Sequence, residues 1–346
     1  MEMKEILFGK TLSELKEVCK ELGLPTFTAK QITDWMYKKD INSIDEMSNL
    51  SKKARQMLNE RFEFGTSGYV SVQESKDGTK KYLFKTPAGK FIEAAYIPER
   101  KRNTLCVSSQ VGCKMACTFC MTGRQKFHGD LSAGSIVNQV RSLPEWHKIS
   151  NIVYMGMGEP MDNLDKVLKS LEILTSDWGM AMSPRRINVS TIGVIPAVKR
   201  FLDESEAHLA ISMHSPFDEE RADLMPVEKA YHLKDILDLI KEYDWHGQRR
   251  ISFEYIIFDG LNHSPKHVNE LVKLLSGFKC RINLIRFHQI PDSNLKSSND
   301  AEVEHFMEQL NNRGIRTTIR ASRGQDIDAA CGLLSTKKLL ETTKEK

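Results

Sequence analysis

Four of the chain's seven cysteines fall in the fifteen residues from Cys106 to Cys120, CVSSQVGCKMACTFC. The last three, Cys113, Cys117 and Cys120, form a CxxxCxxC set. Three thiolates this close in sequence can hold a metal centre. A closed structural zinc site takes four ligands, usually as two separated pairs, and the local set stops at three. An iron–sulfur cubane held by only three thiolates keeps one iron free for another ligand, which makes it a place for chemistry. The spacing alone leaves two readings: that open cluster, or a zinc knuckle completed by a distant His or Cys.

Composition narrows the setting. At 346 residues and 40% hydrophobic content, the chain can bury one large domain and a small one. The opening MEMKEILFGK lacks the apolar core of a signal peptide, and no run of eighteen apolar residues follows, so the expectation is a cytoplasmic protein with no membrane contact. An odd cysteine count in that compartment points to metal binding or catalysis before a disulfide framework. Cys19 and Cys280 read as core thiols. Fifty basic against 46 acidic side chains leave a net charge of +4, which does not announce a nucleic-acid partner.

In chain order, Thr11 and Glu14 make a capping box that opens a helix with Leu12, Leu15, Val18, Cys19 and Leu22 on one face and Gly23 at its end. Helices are predicted over 28–39 and 48–62, so residues 1–65 read as a small helical domain with largely solvated charges. Residues 66–98 read as a β-hairpin or meander linker whose Lys76, Lys80, Lys81, Lys85 and Lys90 could face backbone phosphates. From Thr104, β-like runs at 104–109, 151–155, 187–191, 208–212, 251–257 and 281–287 alternate with helical stretches, with IRTTIR (315–320) as an edge strand. That is an α/β pattern of six βα units, a partial (βα)6 barrel spanning 99–335, followed by a tail at 336–346.

In βα barrels the reacting groups gather where strands exit. After NIVYM comes GMGEP, in which Gly158 lets backbone approach a ligand and Glu159 can accept from an ammonium; by itself such a stretch is also a common turn. Ser190 ends the third strand, and Ser212, Met213 and His214 end the fourth; each is either a ligand group or a satisfied strand end. Cys331, in the polar stretch SRGQDIDAACGLLS, is a candidate nucleophile or a structural thiol. Cys106 is the remaining unassigned cysteine.

The strings TLCVSSQVGC, CTFC, MGMGEP, SMHSPF and RGQDIDAACG together resemble the RlmN/Cfr family of radical S-adenosylmethionine (SAM) RNA methyltransferases, and the likeness runs over nearly the whole chain. The resemblance implies a radical SAM barrel with an N-terminal RNA-binding helical domain. It implies a 4Fe-4S cluster on Cys113, Cys117 and Cys120, and SAM held by Gly158, Glu159, Ser190, Ser212, Met213, His214 and His288. His288, in IRFHQIP, stands where many members have Asn. RlmN-type members methylate C2 of adenosine 2503 in 23S rRNA and of adenosine 37 in tRNAs, and Cfr-type members methylate C8 of a 23S rRNA adenosine. Pro160 and the groups ahead of Cys331 resemble the RlmN side.

The implied chemistry uses two SAM molecules, because C2 of adenine cannot attack a methyl sulfonium as a nucleophile. Cys331 carries the methyl group as an S-methylcysteine. Cys106 resolves the RNA–protein adduct through a transient disulfide, and Glu93 matches the position of the proton acceptor, although its local sequence also suits an exposed strand carboxylate. The implied partners are 23S rRNA and tRNA and an electron donor such as flavodoxin, acting on a monomer. The other readings are a Cfr-like C8 methyltransferase that confers antibiotic resistance, and a zinc-stabilised RNA-binding protein without catalysis.

Overall fold

A computed structural model describes residues 4–327 and 332–335. Ten strands form one sheet whose spatial order is the chain order. Strands β1 (Ser71–Glu74), β2 (Lys80–Lys85) and β3 (Phe91–Glu99) make an antiparallel meander, and β3 pairs antiparallel with β4 (Arg102–Cys106). Every later pairing is parallel, through β5 (Asn151–Tyr154), β6 (Ile187–Thr191), β7 (His208–Ser212), β8 (Ile251–Ile257), β9 (Cys280–Arg286) and β10 (Thr317–Ile319). The six expected β runs are β4 to β9, and IRTTIR supplies the edge strand. Thr104 and Cys106 of β4 line the same cavity of about 1340 Å³ as Thr318 and Ile319 of β10. The sheet therefore curls into a partial barrel, with helices returning each strand to the next.

The stretch expected to link two domains is an extension of the barrel's own sheet. This changes the fate of its lysines. Lys80 pairs with Glu145 at 3.1 Å and Glu74 at 3.5 Å, and Lys81 is buried 2.6 Å from Glu93. These two lysines are committed to carboxylates, whereas Lys76 and Lys85 of the same stretch are exposed. Counting lysines along a segment cannot show which face of a strand each one takes.

The helical residues pack outside the barrel. Thr11 and Glu14 form the capping box of α1 (Leu12–Glu21), which buries Leu15, Val18 and Cys19. Helix α2 (Phe27–Lys38) follows, and α3 (Lys52–Arg61) begins later than expected, because the Ser51 side chain accepts from Ala54 N and caps it there. The barrel helices are α4 (Ala133–Arg141), α5 (Leu164–Thr175), α6 (Ile195–Glu204), α7 (Leu233–Lys241), α8 (Pro265–Leu275) and α9 (Asp300–Asn312). In α7 the buried set Leu233, Ile236, Leu237 and Ile240 repeats at helical spacing, the stripe that faces a sheet. Among the described residues no helix is long and apolar enough to cross a membrane.

Backbone meets backbone where the two parts join. A Cβ on Gly9, at φ +97°, would lie 2.5 Å from the Gly134 Cα, and one on Gly134 would lie 2.5 Å from the Phe8 carbonyl oxygen. The Tyr37 hydroxyl donates to the Lys10 carbonyl (2.7 Å) and accepts from Gly9 N (3.1 Å), and Lys169 reaches Glu14 at 2.6 Å. Neither glycine has room to gain a methyl without separating the surfaces. Gly134→Ala should cost about 1–3 kcal/mol. A lower urea midpoint with faster proteolysis near residue 65 would show it; an unchanged midpoint would mean the contact yields freely.

Candidate active site at the strand exits

The polar run Ser108-Ser109-Gln110 is buried and frames the site. Ser108 N donates to Gln139 Oε1 (2.8 Å), and Gln139 Nε2 donates back to the Ser108 carbonyl (2.9 Å). The Ser108 hydroxyl donates to the Glu93 carbonyl (2.6 Å) and accepts from Met157 N (2.9 Å). Gln110 Oε1 accepts from Glu159 N at 2.9 Å. A Cβ on Gly158 would lie 2.4 Å from the Gln110 side chain, so the GMGEP turn and the cysteine loop touch with no space for a larger residue. Sequence reading passed over these three residues because polar side chains at a strand end look like loop.

Cys106, Cys113, Cys117 and Cys120 all line the cavity. Ala116, between two of the ligand cysteines, is held at φ +51°, a conformation costly for a residue with a Cβ. Backbone N–H groups of Met115, Thr122 and Gly123 point at the Cys113 and Cys120 sulfurs. Burial pushes the Cys113 thiol up to about 12, with Glu159 and Cys120 adding to the shift, and lifts Cys117 well above the usual thiol range. Protonated thiols are what this pocket favours without a cation. Cys19 and Cys280 lie away from the cavity as core thiols, pushed by burial to about 11 and about 12.

Glu159 is buried, its two oxygens accepting from Met161 N (3.0 Å) and Ile192 N (3.1 Å). Burial raises its carboxyl to about 7. Ser190, Ser212, His214 and His288 line the cavity with it. His214, at φ +58°, accepts at Nδ1 from Ile256 N (3.1 Å), and burial lowers its pKa to about 3, so the ring is neutral with Nε2–H as donor. Met213 departs from the expectation. Its side chain is buried in the core, and its backbone N–H and carbonyl bond Glu254 and Ser215, because a strand alternates faces and Ser212 takes the cavity side.

Glu93 is buried and is not the exposed carboxylate that its local sequence allowed. It faces Lys81 at 2.6 Å and accepts from Gly332 N (3.0 Å) and Ser335 N (2.6 Å). Gln125 Nε2, from the cysteine loop, donates to the Gly332 carbonyl at 2.8 Å. On the other side, Asp326 accepts from Ser75 and Lys76, and Asp77 accepts from Gly324 N at 2.9 Å. Cys331 itself lies outside the described residues; the segments before and after it are fastened to the meander, Glu93 and the cysteine loop. Cys106 carries a free thiol, raised by burial and drawn down by Arg320 and Lys81.

Sequence reading missed Arg221 altogether and missed the partner of Lys81. Arg221 is fully buried, donates to the Ile192 (2.8 Å) and Ser212 (3.2 Å) carbonyls and pairs with Glu228. No local signal marks it. Lys81 was visible in principle, since the hairpin register sets Leu83 opposite Glu93 and so puts Lys81 diagonally on the same face.

The Radical SAM superfamily model matches residues 107–275, and the Ribosomal RNA large subunit methyltransferase N-terminal domain model matches residues 6–64. A probable dual-specificity RNA methyltransferase RlmN of Parabacteroides distasonis is 56% identical, covering 97% of this chain and 98% of that protein. Its counterpart in Phocaeicola vulgatus is 55% identical over 97% of this chain and 96% of the relative. The chain belongs to the RlmN family. A radical SAM methyltransferase from Sphaerobacter thermophilus, 36% identical, superposes with a TM-score of 0.89 over 95% of this chain and 98% of that one.

RlmN enzymes use a 4Fe-4S cluster and SAM. The residues here fit both. Three thiols from one loop line one cavity, two of them, Cys113 and Cys120, receive backbone N–H groups at sulfur, which stabilises thiolate ligands, and a set of three would leave one iron without a protein ligand. Glu159 then offers a carboxylate for the amino group of SAM, and an ammonium arriving there offsets the burial that raises its pKa.

Two outcomes are expected. Cys117→Ala should lose the cluster's iron and its absorbance near 400 nm, whereas Cys19→Ala should keep both. Because Glu159 is shifted upward, its ionised form is lost as pH falls through about 7. SAM binding to cluster-loaded protein should weaken over that interval. Glu159→Gln should bind SAM roughly ten- to a hundredfold more weakly, about 1.5–3 kcal/mol for a charge-assisted hydrogen bond, and flatten the pH dependence. A Gln variant with an unchanged pH profile would assign that dependence to another group.

Proposed function

We propose that the protein methylates C2 of adenosine in 23S rRNA (adenosine 2503) and in tRNA (adenosine 37), with Cys331 as methyl carrier and Cys106 as resolving thiol. The observation that carries this reading is the cavity shared by Cys106, Cys113, Cys117, Cys120 and Glu93, with the segment that follows Cys331 fastened to Glu93. Relatives named dual-specificity RNA methyltransferase RlmN, at 52–56% identity over nearly the whole chain, favour C2 over a Cfr-like C8 product.

Cys113, Cys117 and Cys120 hold the cluster; Glu159, Ser190, Ser212, His214 and His288 hold SAM beside it. Cluster and SAM, when bound, supply the radical that removes a hydrogen from the S-methyl group. Cys331 takes that methyl as a thiolate nucleophile and presents its carbon to C2. The radical adduct gives up one electron and its C2 proton; the Cys106 thiolate then attacks the Cys331 sulfur, the S–C electron pair passes to the carbon, which takes up a proton to become the methyl group, and the disulfide so formed is reduced by an external thiol before the next turnover. Glu93, which lines the cavity with Cys106, is the acceptor this reading assigns to the C2 proton. One chain supplies every part, which supports a monomer, and cluster reduction calls for a one-electron donor such as flavodoxin. The helical residues 1–65 serve as the accessory domain for RNA, as the name of the matched domain model suggests.

Nucleoside analysis of rRNA and tRNA from cells with and without the protein tests the reading. It expects 2-methyladenosine to depend on the protein, and 8-methyladenosine in its place would transfer the chain to the Cfr activity. The Cys331 peptide should be about 14 mass units heavy, a methyl replacing a thiol proton. Cys106→Ala should keep its cluster and its methylated Cys331 yet stop with RNA covalently attached. Normal turnover by this variant would remove Cys106 from the mechanism.

A further inference from the structure

The cavity reaches both ends of the barrel. One end holds the cysteines at the strand exits; the other, at the strand entries, is set with arginines. Arg102 opens β4, Arg185 and Arg186 precede β6, Arg250 precedes β8, Arg281 is the second residue of β9, and Arg316 precedes β10. All but Arg316 line the cavity. Strand register places them in one row, since Thr104 pairs with Asn151, Asn188 with His208, Ile251 with Cys280 and Ile282 with Thr317. Adjacent strands are about 4.8 Å apart, so the guanidinium groups crowd one rim.

These charges are poorly neutralised. Arg102 has Glu99 at 2.6 Å, but Arg185, Arg250, Arg281 and Arg316 make no ion pair among the described residues. They act on one another: burial lowers Arg281, Arg316, Arg250 and Arg102 push it the same way, and Glu254 opposes them. His208, between them, is lowered to about 4 by burial and then by Arg250 and Arg281, so it adds no charge. A rim of unpaired like charges over a cavity calls for an anion with several negative groups.

Deeper in, Glu254 Oε2 and Asn188 Oδ1 are buried without a hydrogen-bond partner, and both residues line the cavity. Two idle acceptors suit a ligand that brings donors, as the amino group of adenine does. The helical domain spans the flank of the barrel, from Gly9 against Gly134 at the start of α4 to contacts near this end. Asp40 pairs with Arg141 and His147, each at 3.1 Å, just ahead of β5, and the Tyr37 ring lies 6.0 Å from that of Trp178 on the segment leading to β6.

We infer that the target nucleotide enters the barrel through this arginine-rimmed mouth at the strand entries, its flanking phosphates held by Arg185, Arg250, Arg281 and Arg316, while SAM occupies the opposite end. The inference rests on the RNA methyltransferase reading and adds the face on which RNA docks. A base must leave its stack to reach the cysteines, and single-stranded or loop RNA meets that requirement most cheaply.

The test uses full-length, cluster-loaded protein carrying Arg185→Gln, Arg250→Gln and Arg316→Gln, three exposed positions. Binding of a tRNA transcript is measured across a salt series, with iron content and Cys331 methylation as controls that need no RNA. Affinity should fall roughly tenfold or more, and the slope of log affinity against log salt should shrink by about 2, at roughly 0.7 per phosphate contact on single strands. Both controls should hold. Lys76→Gln, Lys85→Gln and Lys90→Gln together, on the meander, should leave affinity and slope near wild type. An arginine variant with wild-type affinity and slope would overturn the inference, as would loss confined to the lysine variant. Wild-type protein that neither binds nor methylates the transcript would instead overturn the RNA reading on which it rests.

Discussion

The strand exits depend on one small set of buried hydrogen bonds, those of Ser108 and Gln110. Ser108 touches three separate segments, the β3 backbone at Glu93, α4 at Gln139 and the GMGEP turn at Met157, and Gln110 adds Glu159. Buried polar groups are costly unless paired, by about 1–3 kcal/mol for each group left unmade. Only one arrangement of the segments satisfies them all. The distance between the cysteine loop and the carboxylate of Glu159 is thereby set before any ligand arrives. Preorganisation of this kind lets a site hold two charged cofactor groups without spending binding energy on assembly.

Lys81 and Glu93 show a second balance. Removing both charges from water costs several kcal/mol, which their attraction recovers only with good geometry and further hydrogen bonds. Glu93 has these, since the amides of Gly332 and Ser335 complete its oxygens. The pair is thus justified less by stability than by what it holds, the segment that follows Cys331. There is a chemical consequence. Both Glu93 oxygens are already engaged by the two amides and the Lys81 ammonium, so its first role is to hold the segment after Cys331, and taking up a proton would break that hold.

Much of the fold was legible. The capping box at Thr11, the six β runs and the edge strand follow from turn chemistry and periodicity, which are local properties. That Cys113, Cys117, Cys120 and Glu159 meet at one cavity was legible because their motifs are contiguous. Met213 was not, since adjacent residues at a strand end differ only in the face they take, and that is fixed by register. Arg221 depends on partners seven to twenty-nine residues away that no local pattern marks, and the Lys81–Glu93 pair is set by the hairpin register, which has to be known before the two can be put on one face. The meander was misread as a linker for the same reason, because its pairing to β4 is a property of the sheet.

Charge gives the sharpest contrast between what is counted and what is arranged. A net charge of +4 from 50 basic residues describes an almost neutral protein, and the meander lysines looked like its most basic feature. Folding commits two of those lysines and gathers arginines elsewhere. Lys80 and Lys81 are committed to Glu145 and Glu93, whereas arginines at 185, 250, 281 and 316, each unremarked in its own stretch of sequence, are brought to one rim by the parallel register of β6 to β10. A parallel sheet in chain order aligns the starts of all its strands, so a basic residue placed just before several of them becomes a patch without any local run. The same alignment sends the strand ends, with their cysteines and Glu159, to the other side. Two polar requirements that would interfere in one place, an anion-binding rim and a buried cluster loop, are kept apart by the length of a strand.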